Sequence, residues 1–100
     1  MLTAEEMAFG LPPQTLQQIK DCLSRYPQIE WVKVYGSRAK GNYKRGSDID
    51  LAYASQEDIS GKLLADLDEL PTPYLFDVTH YNSLGHTQLK EHIDRIGQII

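Results

Sequence analysis

Eleven residues, Gly36 to Gly46, separate two runs that read as strands, and this short connection constrains the fold more than any other feature. The first run, Ile29 to Tyr35, is rich in β-branched and aromatic residues, with Val32 and Val34 on one face and Trp31, Lys33 and Tyr35 on the other. The second, Ser47 to Ala54, alternates Ile49 and Leu51 with Asp48, Asp50 and Ala52. A parallel pair needs a crossover of about a dozen residues or more, so these two strands are expected to be antiparallel. About twenty residues that include a helical stretch, Glu57 to Leu70, then lead to a third strand at Tyr74 to His80, a length that suits a parallel crossover. Amphipathic helices are expected before and after, from Pro13 to Tyr26 and from Ser83 to Ile96, the last closed by Gly97 as a C-cap.

The expected architecture is α/β (α+β): a small mixed sheet of three or four strands with helices on one face, in the order α-β-α-β-α-β-α. One hundred residues suffice for a single domain, 1–100, with residues 1–11 as a loose arm. A chain this short has little room for an enclosed substrate chamber, so a catalytic site would be open or completed by another protein.

Composition removes several classes of function. The net charge of −4 argues against a general nucleic-acid binder. A lone cysteine, Cys22, forms no internal disulfide and reads as buried filler. The opening MLTAEEMAFG carries acids where a signal peptide carries bases, and no apolar run reaches the roughly 20 residues of a membrane span, so the protein is expected to be cytoplasmic. His80, His86 and His92 lack metal-ligand spacing and read as surface or strand-end residues.

The chemistry lies on the face that these helices would leave bare. Asp48 and Asp50, at i and i+2 of a strand, point the same way with backbones about 6.5 to 7 Å apart. Asp77, flanked by Phe76 and Val78, leaves the core face by the same alternation. Like charges gathered this closely call for a cation, and an all-oxygen donor set suits Mg²⁺. The segment Gly36 to Gly46 carries four bases (Arg38, Lys40, Lys44 and Arg45) and no acid. Gly36-Ser37, opening into a helical turn, would bring backbone N–H groups and the Ser37 hydroxyl to a phosphate, aided by a helix dipole. Each feature alone has a plainer reading: a turn or cap for Asp48, a solvated hairpin for the basic loop, an edge-strand charge for Asp77.

Taken together, GSRAKGNYKRGSDID followed by Asp77 resembles the nucleotidyltransferases related to DNA polymerase beta, and among them the minimal nucleotidyltransferase (MNT) proteins that pair with HEPN-domain proteins. The resemblance implies the nucleotidyltransferase fold and an antitoxin that transfers AMP from ATP, or a nucleoside monophosphate from another nucleotide, to a tyrosine hydroxyl of a HEPN toxin. Asp48, Asp50 and Asp77 would then be catalytic and hold two Mg²⁺ ions, or Mn²⁺, while Gly36, Ser37, Arg38, Lys40 and Ser47 would bind the nucleotide's phosphates. Nothing resembles the extra helical domain with which larger relatives hold the acceptor, so a HEPN or other helical partner is expected to supply it, in a homo- or hetero-oligomer. Phe9, Leu11, Ile99 and Ile100 are the apolar residues available for that contact. Two other roles fit the same residues: a non-catalytic antitoxin scaffold, and the nucleotide-binding half of a two-protein enzyme acting on a small hydroxyl compound of the aminoglycoside kind.

Overall fold

The computed structural model describes residues 8–44 and 46–100. Four helices and four strands follow in the order α1 (Pro13–Leu23), β1 (Trp31–Tyr35), α2 (Gly36–Lys40), β2 (Ile49–Ala54), α3 (Ser60–Asp68), β3 (Phe76–His80), α4 (Gln88–Ile96) and β4 (Gln98–Ile99), with a 3-10 turn at Tyr81–Ser83. The strands form one mixed sheet in the order β3-β2-β1-β4. β1 and β2 are antiparallel, with Val34 opposite Leu51, as the short connection requires. β2 and β3 are parallel, joined through α3.

Alternation along the strands builds the core. Val32, Val34, Ile49, Leu51, Tyr53 and Phe76 face α1 and α3, and are buried with Ile19, Cys22, Leu23, Leu63 and Leu67. α1 starts with Pro13, whose missing N–H costs nothing in a first turn, and its three- and four-residue spacing puts Ile19, Cys22 and Leu23 inward. The Tyr26 side chain, beyond the end of α1, ties this layer together by donating its hydroxyl hydrogen to the Asp66 carboxylate of α3. Of the arm expected over residues 1–11, residues 1–7 lie outside the described residues. The remainder packs: Leu11 is fully buried and Ala8 bridges to it.

Two expectations change, and the fourth strand allowed for is present. Helices are not confined to one face, because α4 lies on the aspartate side, where Ile93 is fully buried against Tyr35 and Ala52. The reason lies in the sheet: Ala52 and Ala54 stand opposite Lys33 and Trp31, leaving a shallow apolar floor beside Tyr35 that a helix can cover. A two-residue strand, β4, follows α4 and pairs antiparallel with β1. Gly97 does end α4, but in an extended conformation (φ −61°, ψ 143°) rather than a left-handed one, and so turns the chain directly into β4. Among the described residues no helix is long and apolar enough to cross a membrane.

Candidate active site

The parallel register of β2 and β3 sets Asp50 directly opposite Asp77. Partners in a parallel pair point to the same side, so the two carboxylates share one face across a strand spacing of about 4.8 Å. Asp77 is exposed, Asp50 is half-buried, and Asp48 is exposed in the loop just before β2. Removal from water first, and then the negative charges of Asp77 and Asp48, raise the Asp50 carboxyl above its ordinary range, with His92 and Arg38 pulling weakly the other way. The aspartates thus stand beyond the part of the face that α4 covers.

Gly36 adjoins this group. It joins β1 to α2 at φ +72°, and the space a β-carbon would need is occupied by Asp50 Oδ2. Both facts demand glycine. The Gly36 N–H donates to His92 Nε2 of α4 at 3.1 Å, so one of the amides assigned to a phosphate is already bonded within the protein. The five residues of α2 are too few for aligned peptides to sum to a useful dipole, which leaves individual donors to do the binding. Ser37 is half-buried, and its carbonyl accepts from the N–H groups of Gly41 and Asn42, closing the turn of α2.

The basic loop divides into different roles. Arg38 is buried. Its Nε and Nη2 donate to the Ser47 carbonyl at 3.2 and 2.8 Å, and its Nη1 donates to the Phe9 carbonyl at 2.9 Å. The guanidinium also lies between the rings of Tyr43 and Tyr74, 5.2 and 5.0 Å from their centroids. Arg38 therefore secures the loop that delivers Asp48, and the structure does not present it as a free phosphate ligand. Ser47 is similarly engaged, its Oγ accepting the Lys44 N–H at 2.8 Å. Lys40 and Lys44 are exposed, and Arg45 lies outside the described residues. A cleft of about 580 Å³ opens beside Tyr43, Lys44, Pro73 and Tyr74, but none of the three aspartates lines it.

Among the described residues no three His, Cys, Asp or Glu side chains stand close enough together to form a preassembled metal site. The donor set nevertheless fits a hard divalent cation: two carboxylates are opposed by register, a third lies two residues before Asp50, and the neighbours of Asp50 disfavour its negative charge. Asp48 lies just before β2, next to Ser47, whose carbonyl Arg38 holds.

His92 is the residue near the site that spacing did not reveal. The other two histidines lie away from the aspartates: His80, at the far end of β3, is buried against the Ser55 carbonyl, and His86 is exposed. Of the apolar residues considered for a partner contact, Leu11 is buried and Phe9 and Ile100 pack on the core, whereas Ile99 is 61% exposed.

Comparison with known proteins identifies the family and the fold. The family model described as Polymerase beta, Nucleotidyltransferase matches residues 17–100. No curated protein matches the chain significantly. Among solved structures, a toxin–antitoxin complex with AMP-PNP superposes with a TM-score of 0.63 at 24% identity, over 83% of this chain and 69% of that one. A mutant of the toxin–antitoxin MntA-HpeT gives 0.57 at 20% identity, over 87% and 69%. A Sulfolobus solfataricus protein described as a nucleotidyltransferase gives 0.52 at 19% identity, over 86% and 76%. At these identities the shared property is the fold.

Proposed function

The chain belongs to the polymerase beta nucleotidyltransferase family, and from that membership we propose that residues 1–100 act as one cytoplasmic domain that transfers AMP from ATP to a tyrosine hydroxyl of a HEPN-type partner, as the antitoxin of a toxin–antitoxin pair. The observation that carries the proposal is the opposition of Asp50 and Asp77 in register, beside the Gly36-Ser37 turn. In this reading Asp48, Asp50 and Asp77 hold Mg²⁺, or Mn²⁺ in its place. A divalent cation held there would supply positive charge that offsets the negative charge on the entering and leaving oxygens. Ser37, with the amides that follow it, grips the outer phosphates, and exposed Lys40 and Lys44 add positive charge at the rim. The acceptor oxygen bonds to the α-phosphorus as the bond to pyrophosphate breaks, with the two oxygens in line. The open face around Asp77 leaves the acceptor to be presented by the partner.

The test is incubation of the protein with α-labelled ATP, Mg²⁺ and the product of the neighbouring gene. Label is expected on that product, and is expected to vanish with Asp48→Asn plus Asp50→Asn. Absence of label with the native protein overturns the transfer reading. A double variant that still neutralises the partner instead favours a binding scaffold, and transfer to a small hydroxyl compound favours the two-protein enzyme.

A further inference from the structure

His92 lies midway along α4, next to Ile93, which is fully buried and fixes the helix on the aspartate side of the sheet. From that position Nε2 accepts the Gly36 N–H at 3.1 Å, and the ring meets that of Tyr35 edge-on with centroids 6.0 Å apart. An imidazole that accepts through Nε2 carries its proton on Nδ1, so the contact selects one tautomer. Gly36 is thus constrained from two directions, by Asp50 beside its Cα and by His92 at its N–H. The N–H they hold belongs to the Tyr35–Gly36 peptide, the last of β1 before the turn that leads to Ser37.

We propose that His92 is a positioning residue for nucleotide binding, one that holds the Gly36 turn so that Ser37 and Asp50 face the same phosphate-bearing ligand. The inference rests on the nucleotidyltransferase reading. A glycine without partners populates positive and negative φ about equally, so a turn released from His92 samples conformations in which Ser37 faces elsewhere. Restoring the binding conformation then draws on the free energy of association, and affinity falls. His92 touches the turn and not the reacting atoms, so its loss acts chiefly on nucleotide affinity and less on the rate of transfer. The rival arrangement has the ligand displace His92 and take the Gly36 N–H for itself, which predicts the opposite sign.

The experiment compares the native chain with His92→Ala and His92→Gln, whose Oε1 can accept from the same amide. Two quantities are read: solvent exchange of the Gly36 amide by ¹⁵N NMR in the ligand-free protein, and the Kd for AMP-PNP with excess Mg²⁺ by calorimetry. The Gly36 amide is expected to exchange slowly in the native chain and in His92→Gln and quickly in His92→Ala. The Kd is expected to rise about 5- to 10-fold in His92→Ala, the scale of one lost hydrogen bond, and to return to within about twofold of native in His92→Gln. An alanine variant that binds as tightly as the native protein or more tightly overturns the inference, as does a glutamine variant that restores amide protection without restoring affinity. If the native chain itself fails to bind AMP-PNP with Mg²⁺, the nucleotidyltransferase reading falls and takes this role of His92 with it. Native binding with an unaffected alanine variant sinks the His92 role alone.

Discussion

The Asp50 carboxylate lies where a β-carbon on Gly36 would have to go. One position therefore sets both the backbone turn at the end of β1 and the direction of an acidic side chain on β2. In Gly36→Ala the methyl group meets the end of a flexible side chain, so Asp50 rotates away and the fold survives. The strain of a non-glycine residue at φ +72° costs roughly 1–2 kcal/mol. Urea unfolding is expected to read that modest loss, while nucleotide transfer falls by a factor of about 100 or more because a displaced carboxylate no longer meets the ligand. Full activity in Gly36→Ala would show that the direction of Asp50 is immaterial.

Asp50 also predicts a pH and metal dependence. Its carboxyl titrates above the ordinary range because burial, then Asp77 and Asp48, disfavour the charge. A group raised in the folded state lends stability that is complete below its ordinary pKa and is lost as pH rises through the raised one. Ionising Asp50 in the metal-free protein therefore works against folding as pH rises. Asp50→Asn is expected to unfold a few degrees higher than the native protein at pH 7 in chelator, with the difference shrinking below about pH 4. Mg²⁺ is expected to raise the native Tm and to leave that of Asp50→Asn nearly unchanged. Circular dichroism melts with and without Mg²⁺ measure both, and an equal Mg²⁺ response in the two proteins contradicts a cation at Asp50.

The strand pairing was legible because connection length and alternation are local properties. Eleven residues between β1 and β2 compelled an antiparallel pair, and the period of two sorted Val32, Val34, Ile49 and Leu51 from Asp50 and Asp77. The placement of α4 was not legible, since an apolar stripe on a helix does not say which face of a sheet receives it. The hint lay in Ala52 and Ala54, small residues on a face otherwise marked by acids. Arg38 failed for a related reason. An arginine beside Gly-Ser looks like a phosphate ligand until the carbonyls of Ser47 and Phe9, the latter 29 residues away in sequence, converge on it. His92 was invisible for the same cause, being 56 residues from the amide it meets.

On the opposite face, the link between the α1 layer and α3 makes a prediction in alkaline solution. The Tyr26 phenol is pushed up to about 12, by burial first and then by the hydrogen bond and negative charge of Asp66. The stability it contributes is complete below the ordinary tyrosine pKa near 10 and disappears as pH rises through about 12. Tyr26→Phe is expected to cost about 1–2 kcal/mol at pH 7. The native protein should lose that advantage between about pH 10 and pH 12. Urea unfolding at pH 7, 10 and 11.5 follows the convergence, and parallel curves for the two proteins would exclude the Asp66 contact as the cause.

Ile93 tests whether α4 belongs to the site or merely covers the sheet. Its side chain is fully buried against Tyr35 and Ala52, and the helix otherwise presents exposed groups such as Glu91, Asp94 and Arg95. This one residue therefore provides much of the apolar hold on α4. Ile93→Val removes a single methylene, which costs about 0.5–1.5 kcal/mol and leaves the helix docked. Ile93→Ala removes about 2–4 kcal/mol and frees α4 to shift, carrying His92 away from the Gly36 N–H. The two variants should then diverge in binding more than in kind: the valine variant is expected to bind AMP-PNP with Mg²⁺ like the native protein, and the alanine variant more weakly, by at least the factor found for His92→Ala. Calorimetry at a temperature where both variants are folded by circular dichroism makes the comparison fair. If Ile93→Ala is destabilised to the expected extent yet binds with native affinity, the helix is a cover, and the turn at Gly36 keeps its shape without it.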